Sequence, residues 1–292
     1  ALFNYKEALR LNPNYVEAFK NYGNVFSLMG NFEEALFNYK EALRLNPNYV
    51  EALRGQASTL ADLKRLEESN EVWEKIIKIN PQSDYVIGNI IHNKMQLCDW
   101  FNINEQINLI KESLKKRLKV VSPFILLGLI DQPDYHKLAS QIYCSDEFSK
   151  FLEKKELNKY KNHKKIKIGY FSAEFHQHPV LQLMMDIYKN HNKTKFEIFG
   201  FSHDPDGENI YRDEAKKYFD NFINITKMND IDVVKLSREM EIDIAINLTG
   251  HTENSRNRIF SLRVAPVQVN FLGFPGTMGL STMDYIISDE II

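Results

Sequence analysis

Residues 1–18 read ALFNYKEALRLNPNYVEA, and the same eighteen letters return at 35–52. The offset of 34 residues is kept by Pro13, Pro47 and Pro81, by Ala1 and Ala35, and by Ala8 and Ala42. A copy this exact at a constant spacing describes a unit that stacks on its own duplicates. Within the unit, Phe19, Tyr22, Gly23 and Phe26 recur at three- and four-residue steps in one segment, as Ala35, Tyr39 and Ala42 do in the next. That period places them on one face of a helix. The second helix stops at Asn46-Pro47, because proline excludes the residue before it from α geometry.

A period of 34 is that of the tetratricopeptide repeat (TPR), a pair of antiparallel helices. The chain reads as half a repeat at 1–15, a full one at 16–49 and a degenerate one at 50–83. The last keeps Ala57, Leu60, Trp73 and Pro81 but sets Ser69 where its neighbour has alanine. Such units bury their faces by stacking, about three being the usual minimum, so the expectation is the end of a longer solenoid with Ala1 falling inside a repeat. The concave face of a solenoid suits extended polypeptide. Asn21 and Asn24 are candidate partners for a peptide backbone or, read singly, ordinary exposed helix residues. An exposed repeat face is also a surface through which copies of the chain can form a homo-oligomer.

Composition sets the outer bounds. A chain of 292 residues with 43% hydrophobic and 26% charged residues can bury a sizeable core and is expected to hold two domains. A net charge of −2 offers no field for nucleic acid or an anionic membrane. No apolar run is long enough for a membrane helix, and the two cysteines, Cys98 and Cys144, form no disulfide framework, which points to a reducing cytoplasm.

Beyond Pro81 the period is lost. Residues 84–164 read as a helical linker ending in the polar NKYKNHKK at 158–165, where the domain boundary is expected. From Lys165 the pattern changes to apolar runs (IKIGYFS, FEIFGFSH, NFINIT, IDIAINLTG, VQVNFLGF, DYIISD), most of them separated by helical segments. That alternation predicts a parallel sheet covered on both faces, a Rossmann-like lobe of about six strands over 165–292. Ligands of such sheets sit at the carboxyl ends of the strands. The loops there are SAEFHQHPV (172–180), TGHTENSRN (249–257) and GFPGTMG (273–279). No dinucleotide or P-loop glycine pattern is present, and His176-Gln177-His178 lacks a third ligand at a recognisable spacing, so no metal is expected.

The strings MQLCDW (95–100), IGYFSAEFHQHP (168–179), NLTGHTENSR (247–256) and RVAPVQVNFLGFPGTMGLSTMDYIISD (263–289), behind a TPR array, resemble the TPR-containing O-linked N-acetylglucosamine transferases, more narrowly their bacterial members and the SPINDLY proteins. The resemblance covers essentially the whole chain, and the string from Arg263 to Asp289 is its most specific part. It implies the N-terminal half of a two-lobe GT-B enzyme, with the second lobe expected beyond Ile292. The implied reaction is inverting transfer of a sugar from a nucleotide sugar, UDP-N-acetylglucosamine, to Ser or Thr of a protein or peptide acceptor held by the TPR groove, with no other cofactor. This half alone is expected to be inactive.

On the matching positions, His178 would be the general base or would position the acceptor; as a residue on its own it reads as a cap for the helix starting at Pro179. Histidine has the pKa range for the first role. His251 would line the cleft, Thr252, Pro275, Gly276 and Thr277 would shape the acceptor or sugar side, and Arg256 would pair with phosphate or cap its own surroundings. Gln182 stands where the family has a second histidine. Two alternatives stay open: an O-fucosyltransferase of the SPINDLY type using GDP-fucose, and a TPR binding scaffold without catalysis.

Overall fold

A computed structural model describes residues 2–150, 157, 160, 164–204, 207 and 209–290. Most of the expected boundary segment 158–165 lies outside the described residues. Two compact units divide between Leu129 and Ile130. Of the stretch 84–164 read as one linker, the helices before Ile130 therefore go with the repeats, and the helix after it goes with the sheet.

The first unit is all helical: α1 (Leu2–Leu11), α2 (Val16–Leu28), α3 (Phe32–Leu45), α4 (Val50–Asp62), α5 (Leu66–Ile79), α6 (Val86–Gln96), α7 (Ile103–Lys115) and α8 (Pro123–Leu127). The repeat shows in the turns as well as the helices. Asn12, Asn46 and Asn80 each precede a proline and accept through Oδ1 from the backbone N–H two residues on, at 3.1, 3.4 and 3.1 Å. These Asx turns satisfy donors where the helix has just ended. Ala35 and Ala42 are fully buried, and the Tyr39 ring occupies the space left by Gly23 and Gly55. Ser69, the repeat equivalent of Ala35, is buried as well; its hydroxyl donates to Ala57 O at 2.8 Å and accepts from Asn93 Nδ2 at 2.9 Å. A serine is tolerated there because it is small and both sides of its hydroxyl are matched.

The second unit opens with α9 (Pro133–Phe148) and continues through β1 (Ile166–Ser172), α10 (Pro179–Asn190), β2 (Phe196–Ser202), α11 (Ile210–Lys216), β3 (Asn221–Asn224), α12 (Asp230–Glu239), β4 (Ile244–Asn247), α13 (Asn257–Ser261), β5 (Val267–Phe271) and β6 (Tyr285–Ile287). Every strand pairing is parallel, and the order is β3-β2-β1-β4-β5-β6. One face packs Tyr170, Phe175, Met184, Tyr188, Ile198, Phe219 and Leu248. On another side Phe171 stacks on Phe201 with centroids 4.3 Å apart and meets Phe260 edge-on. The chain runs outward from β1 on one side and from β4 on the other, so the loops after these two neighbours part at the switch point of the sheet, where such folds take ligands. Among the described residues, no helix is long and apolar enough to cross a membrane.

Candidate functional site at the carboxyl ends of the strands

Buried hydrogen bonds join the loops after β1, β4 and β5. At the end of β4, Asn247 Oδ1 accepts from Thr249 N (3.1 Å) and Gly250 N (3.0 Å), curling the chain back. Thr249 Oγ1 accepts from Ala173 N at 3.3 Å and donates to Glu174 Oε2 at 2.9 Å, which ties the β1 loop to the β4 loop. Ser172 Oγ adds a second donor to the same carboxylate oxygen at 2.6 Å. Glu174 is itself buried, so its acid group serves to join the two loops.

His251 makes the next link. Its Nε2 donates to Met278 O at 2.8 Å, while Nδ1 accepts from Asn257 Nδ2 at 3.3 Å. These partners assign the neutral Nε2–H tautomer, and burial holds the ring's pKa below the usual histidine range. Tyr143 and Phe274 pack against the ring edge-to-face at 5.4 and 5.1 Å. His251, expected to line the cleft, is 7% exposed and clamps the β4 loop to the β5 loop.

Behind the β5 loop stands α9. Cys144 donates to Met278 O at 3.1 Å, and its thiol is pushed up to about 12 by burial, so it is not a nucleophile. Gly273 lies so close to Leu248 that a Cβ would stand 1.8 Å from its carbonyl oxygen, which only glycine avoids.

Arg256 is also turned inward. Nε donates to Asp230 Oδ1 (2.8 Å), one terminal nitrogen to Ile225 O (2.8 Å) and the other to Met228 O (2.7 Å). With all three nitrogens engaged it ties the β4 loop to the segment before α12; of its two expected roles, the structure shows the one within its own surroundings. Beside it, His203 at the end of β2 is held neutral, its pKa pushed down to about 3 by burial and by the Arg256 cation.

The remaining expected residues keep more exposure. Thr252 is partly exposed and donates to Thr249 O at 2.8 Å. Pro275 is exposed, Gly276 is buried, and Thr277 lines a cavity of about 310 Å³ together with Lys137, Gln141, Asn270 and Tyr285. In the repeat unit, Asn24 is exposed and accepts from the Tyr39 hydroxyl at 2.8 Å, and Asn21 accepts from Lys20 at 2.7 Å.

The β1 loop carries two histidines with opposite settings. His178 caps α10: its Nδ1 accepts from Val180 N at 3.3 Å. His176, whose ring centroid lies 5.6 Å from that of His178, turns Nδ1 toward Asp204 Oδ1 at 3.0 Å. Its side chain is 37% exposed, whereas that of Asp204 is 4% exposed. Asp204 is paired with the buried Arg212 of α11, whose Nε donates to Phe175 O at 3.3 Å. Sequence reasoning missed Glu174, Asp204 and Arg212. A carboxylate within a strand-end loop was the available signal for the first two; nothing local marked the arginine. Among the described residues, no group of three His, Cys, Asp or Glu side chains is arranged to hold a metal ion.

Comparison with known proteins gives the family. Residues 97–292 match the model of Glycosyl transferase family 41, and residues 16–49 match that of the tetratricopeptide repeat. The chain is 33% identical over 129 residues to a probable UDP-N-acetylglucosamine–peptide N-acetylglucosaminyltransferase, SEC, of Arabidopsis thaliana, covering 44% of this chain and 13% of that protein. It is 34% identical over 132 residues to the UDP-N-acetylglucosamine–peptide N-acetylglucosaminyltransferase of Caenorhabditis elegans, covering 44% and 11%. A SPINDLY protein of Arabidopsis thaliana is 34% identical over 129 residues, covering 43% and 14%. The chain thus spans a small part of the length of the curated relatives it matches. Among solved structures, a mutant O-GlcNAc transferase of Thermobaculum terrenum shares the fold with a TM-score of 0.62 at 19% identity, over 99% of this chain and 50% of that one.

Proposed function

The chain belongs to glycosyl transferase family 41, and from that premise we propose that it is the repeat-bearing N-terminal half of an inverting protein O-glycosyltransferase that uses UDP-N-acetylglucosamine. The observation that carries the reading is the joined set of loops after β1, β4 and β5, a rigid rim at the switch point of a parallel sheet. The relatives named as UDP-N-acetylglucosamine–peptide N-acetylglucosaminyltransferases support the donor. Acceptor polypeptide would lie along the repeats, with the amides of Asn21 and Asn24 toward its backbone, and present Ser or Thr to the rim. Thr252, Pro275, Gly276 and Thr277 would shape the acceptor or sugar side, and His178 would face the reacting groups. Such an enzyme would work in the cytoplasm, where the free Cys98 and Cys144 stay reduced.

The test is transfer by the full-length gene product, incubated with UDP-N-acetylglucosamine or GDP-fucose and a Ser/Thr-rich peptide pool, read as the mass added to peptide. Gain of one N-acetylhexosamine is expected. Transfer from GDP-fucose alone would make it a fucosyltransferase, and absence of both transfer and nucleotide binding would leave a binding scaffold.

A further inference from the structure

A neutral imidazole has one N–H and one lone pair, so the partner of one nitrogen decides what the other offers. At His178 the inner nitrogen Nδ1 accepts the Val180 N–H. Its lone pair is spent on the helix cap, and the neutral ring therefore presents Nε2–H, a donor. At His176 the inner nitrogen lies 3.0 Å from Asp204 Oδ1, a close contact short of hydrogen-bond geometry, and a carboxylate this near favours a proton over a lone pair on that nitrogen. With the proton on Nδ1, Nε2 keeps its lone pair on the other side of the ring, away from Asp204.

Building on the proposed glycosyl transfer, we infer that His176 is the group that accepts the proton of the acceptor hydroxyl, with Asp204 as its positioning residue and His178 as a hydrogen-bond donor beside it. Three features support the assignment. Asp204 is fixed: it is buried, paired to the buried Arg212, and receives the His176 ring without giving up that pair. The two rings stand side by side on one loop at the carboxyl end of β1. The carboxylate also stabilises the imidazolium that forms when Nε2 takes a proton, as in any carboxylate–imidazole pair.

The step balances without a further reagent. As the Ser or Thr oxygen forms its bond to the anomeric carbon, its proton passes to Nε2 of His176. The bond between the anomeric carbon and the diphosphate oxygen breaks, and its electron pair leaves with the nucleoside diphosphate. The imidazolium afterwards releases the proton to water. His178 Nε2–H can donate to an oxygen of either substrate without competing for the proton in flight.

Two experiments test the assignment. The first needs no activity: long-range proton–nitrogen NMR of the histidine rings reads which nitrogen is bare. With both rings neutral, a bare Nε2 at His176 and a bare Nδ1 at His178 are expected; the reverse pattern overturns the assignment. The second uses transfer by the full-length protein. His176→Ala is expected to lower kcat by about 10²- to 10⁴-fold with the KM for donor little changed, to remove the acid limb of the pH profile, and to recover in part with added imidazole. His178→Gln, which keeps a donor, is expected to retain far more activity. The groups facing His176 in that profile are Asp204, with Arg212 behind it, and His178. A wild type that transfers, with a His176→Ala variant of unchanged kcat, would sink this assignment alone; a wild type inert with both donors would sink the proposed function and this step with it.

Discussion

His251 donates to the carbonyl of Met278 at 2.8 Å across 27 residues of sequence and so locks the loop after β4 onto the loop after β5. Removing the ring leaves that carbonyl with one partner fewer and opens a cavity between Tyr143 and Phe274. His251→Ala is expected to destabilise the sheet lobe by about 2–4 kcal/mol, read as a lower denaturant midpoint with little change in m.

Acid should weaken the same lobe through His203. Its folded pKa, about 3, lies below the unfolded value near 6.5, so only the unfolded chain binds the proton as pH falls. The stability in question is whole above about pH 6.5 and is lost below it, at up to about 1.4 kcal/mol per pH unit until the folded pKa is reached. His191 and His251, also shifted down by burial, add in the same direction. Unfolding midpoints of the wild type and His203→Gln between pH 7 and 4 check this; parallel curves would remove His203 from the account.

Arg256 offers a contrast between a loop tie and a phosphate ligand. Arg256→Met breaks its contacts to Asp230, Ile225 O and Met228 O and removes the cation that depresses His203. The expected outcome is a loss of about 2–4 kcal/mol together with a raised His203 pKa, measured by thermal melting and by histidine NMR titration. An unchanged melt would show that the tie carries no stability.

Arg212 and Asp204 form a pair buried on both sides. Arg212→Met leaves the carboxylate buried without its counter-charge, at a cost of about 3–5 kcal/mol. The double variant Arg212→Met with Asp204→Leu should recover much of that loss, because the stranded charge is gone; calorimetry on the three variants decides it.

The repeats hold one strained turn. Gly30 takes φ +74°, and Lys64, its equivalent one repeat later, is forced to φ +61°. Both turns close alike, Asn31 N on Phe26 O and Arg65 N on Leu60 O, each at 2.9 Å. Lys64→Gly relieves a left-handed side chain but loosens the unfolded chain, for an expected net gain of about 0.5 kcal/mol. Chemical denaturation reads it, and a loss would mean that the Lys64 backbone carries no strain.

Much of the fold was legible because helices, strands and turns are written locally. The 34-residue offset placed α2 to α5 and the Asx turns, since three- and four-residue periodicity and Asn-Pro pairs act within a few residues. The apolar runs placed all six strands and, with them, the loops that matter. The loops named the rim residues but not their directions. His251, expected to line the cleft, and Arg256, expected at a phosphate or within its own surroundings, point inward because Met278, Asn257, Asp230 and the carbonyls of Ile225 and Met228 wait there.

By itself, then, the sequence determined the repeat pair, the parallel sheet, and the stretch from Ser172 to Val180 as a strand-end loop, all set by hydrophobic period and turn chemistry along a short length of chain. Only the tertiary structure decided what stands beside each histidine ring. Asp204 reaches His176 from the end of β2, and Arg212 reaches Asp204 from α11, whereas the cap on His178 lies two residues away in its own helix. A tautomer is chosen by whichever partner the fold brings to the ring, and that partner can lie far along the chain.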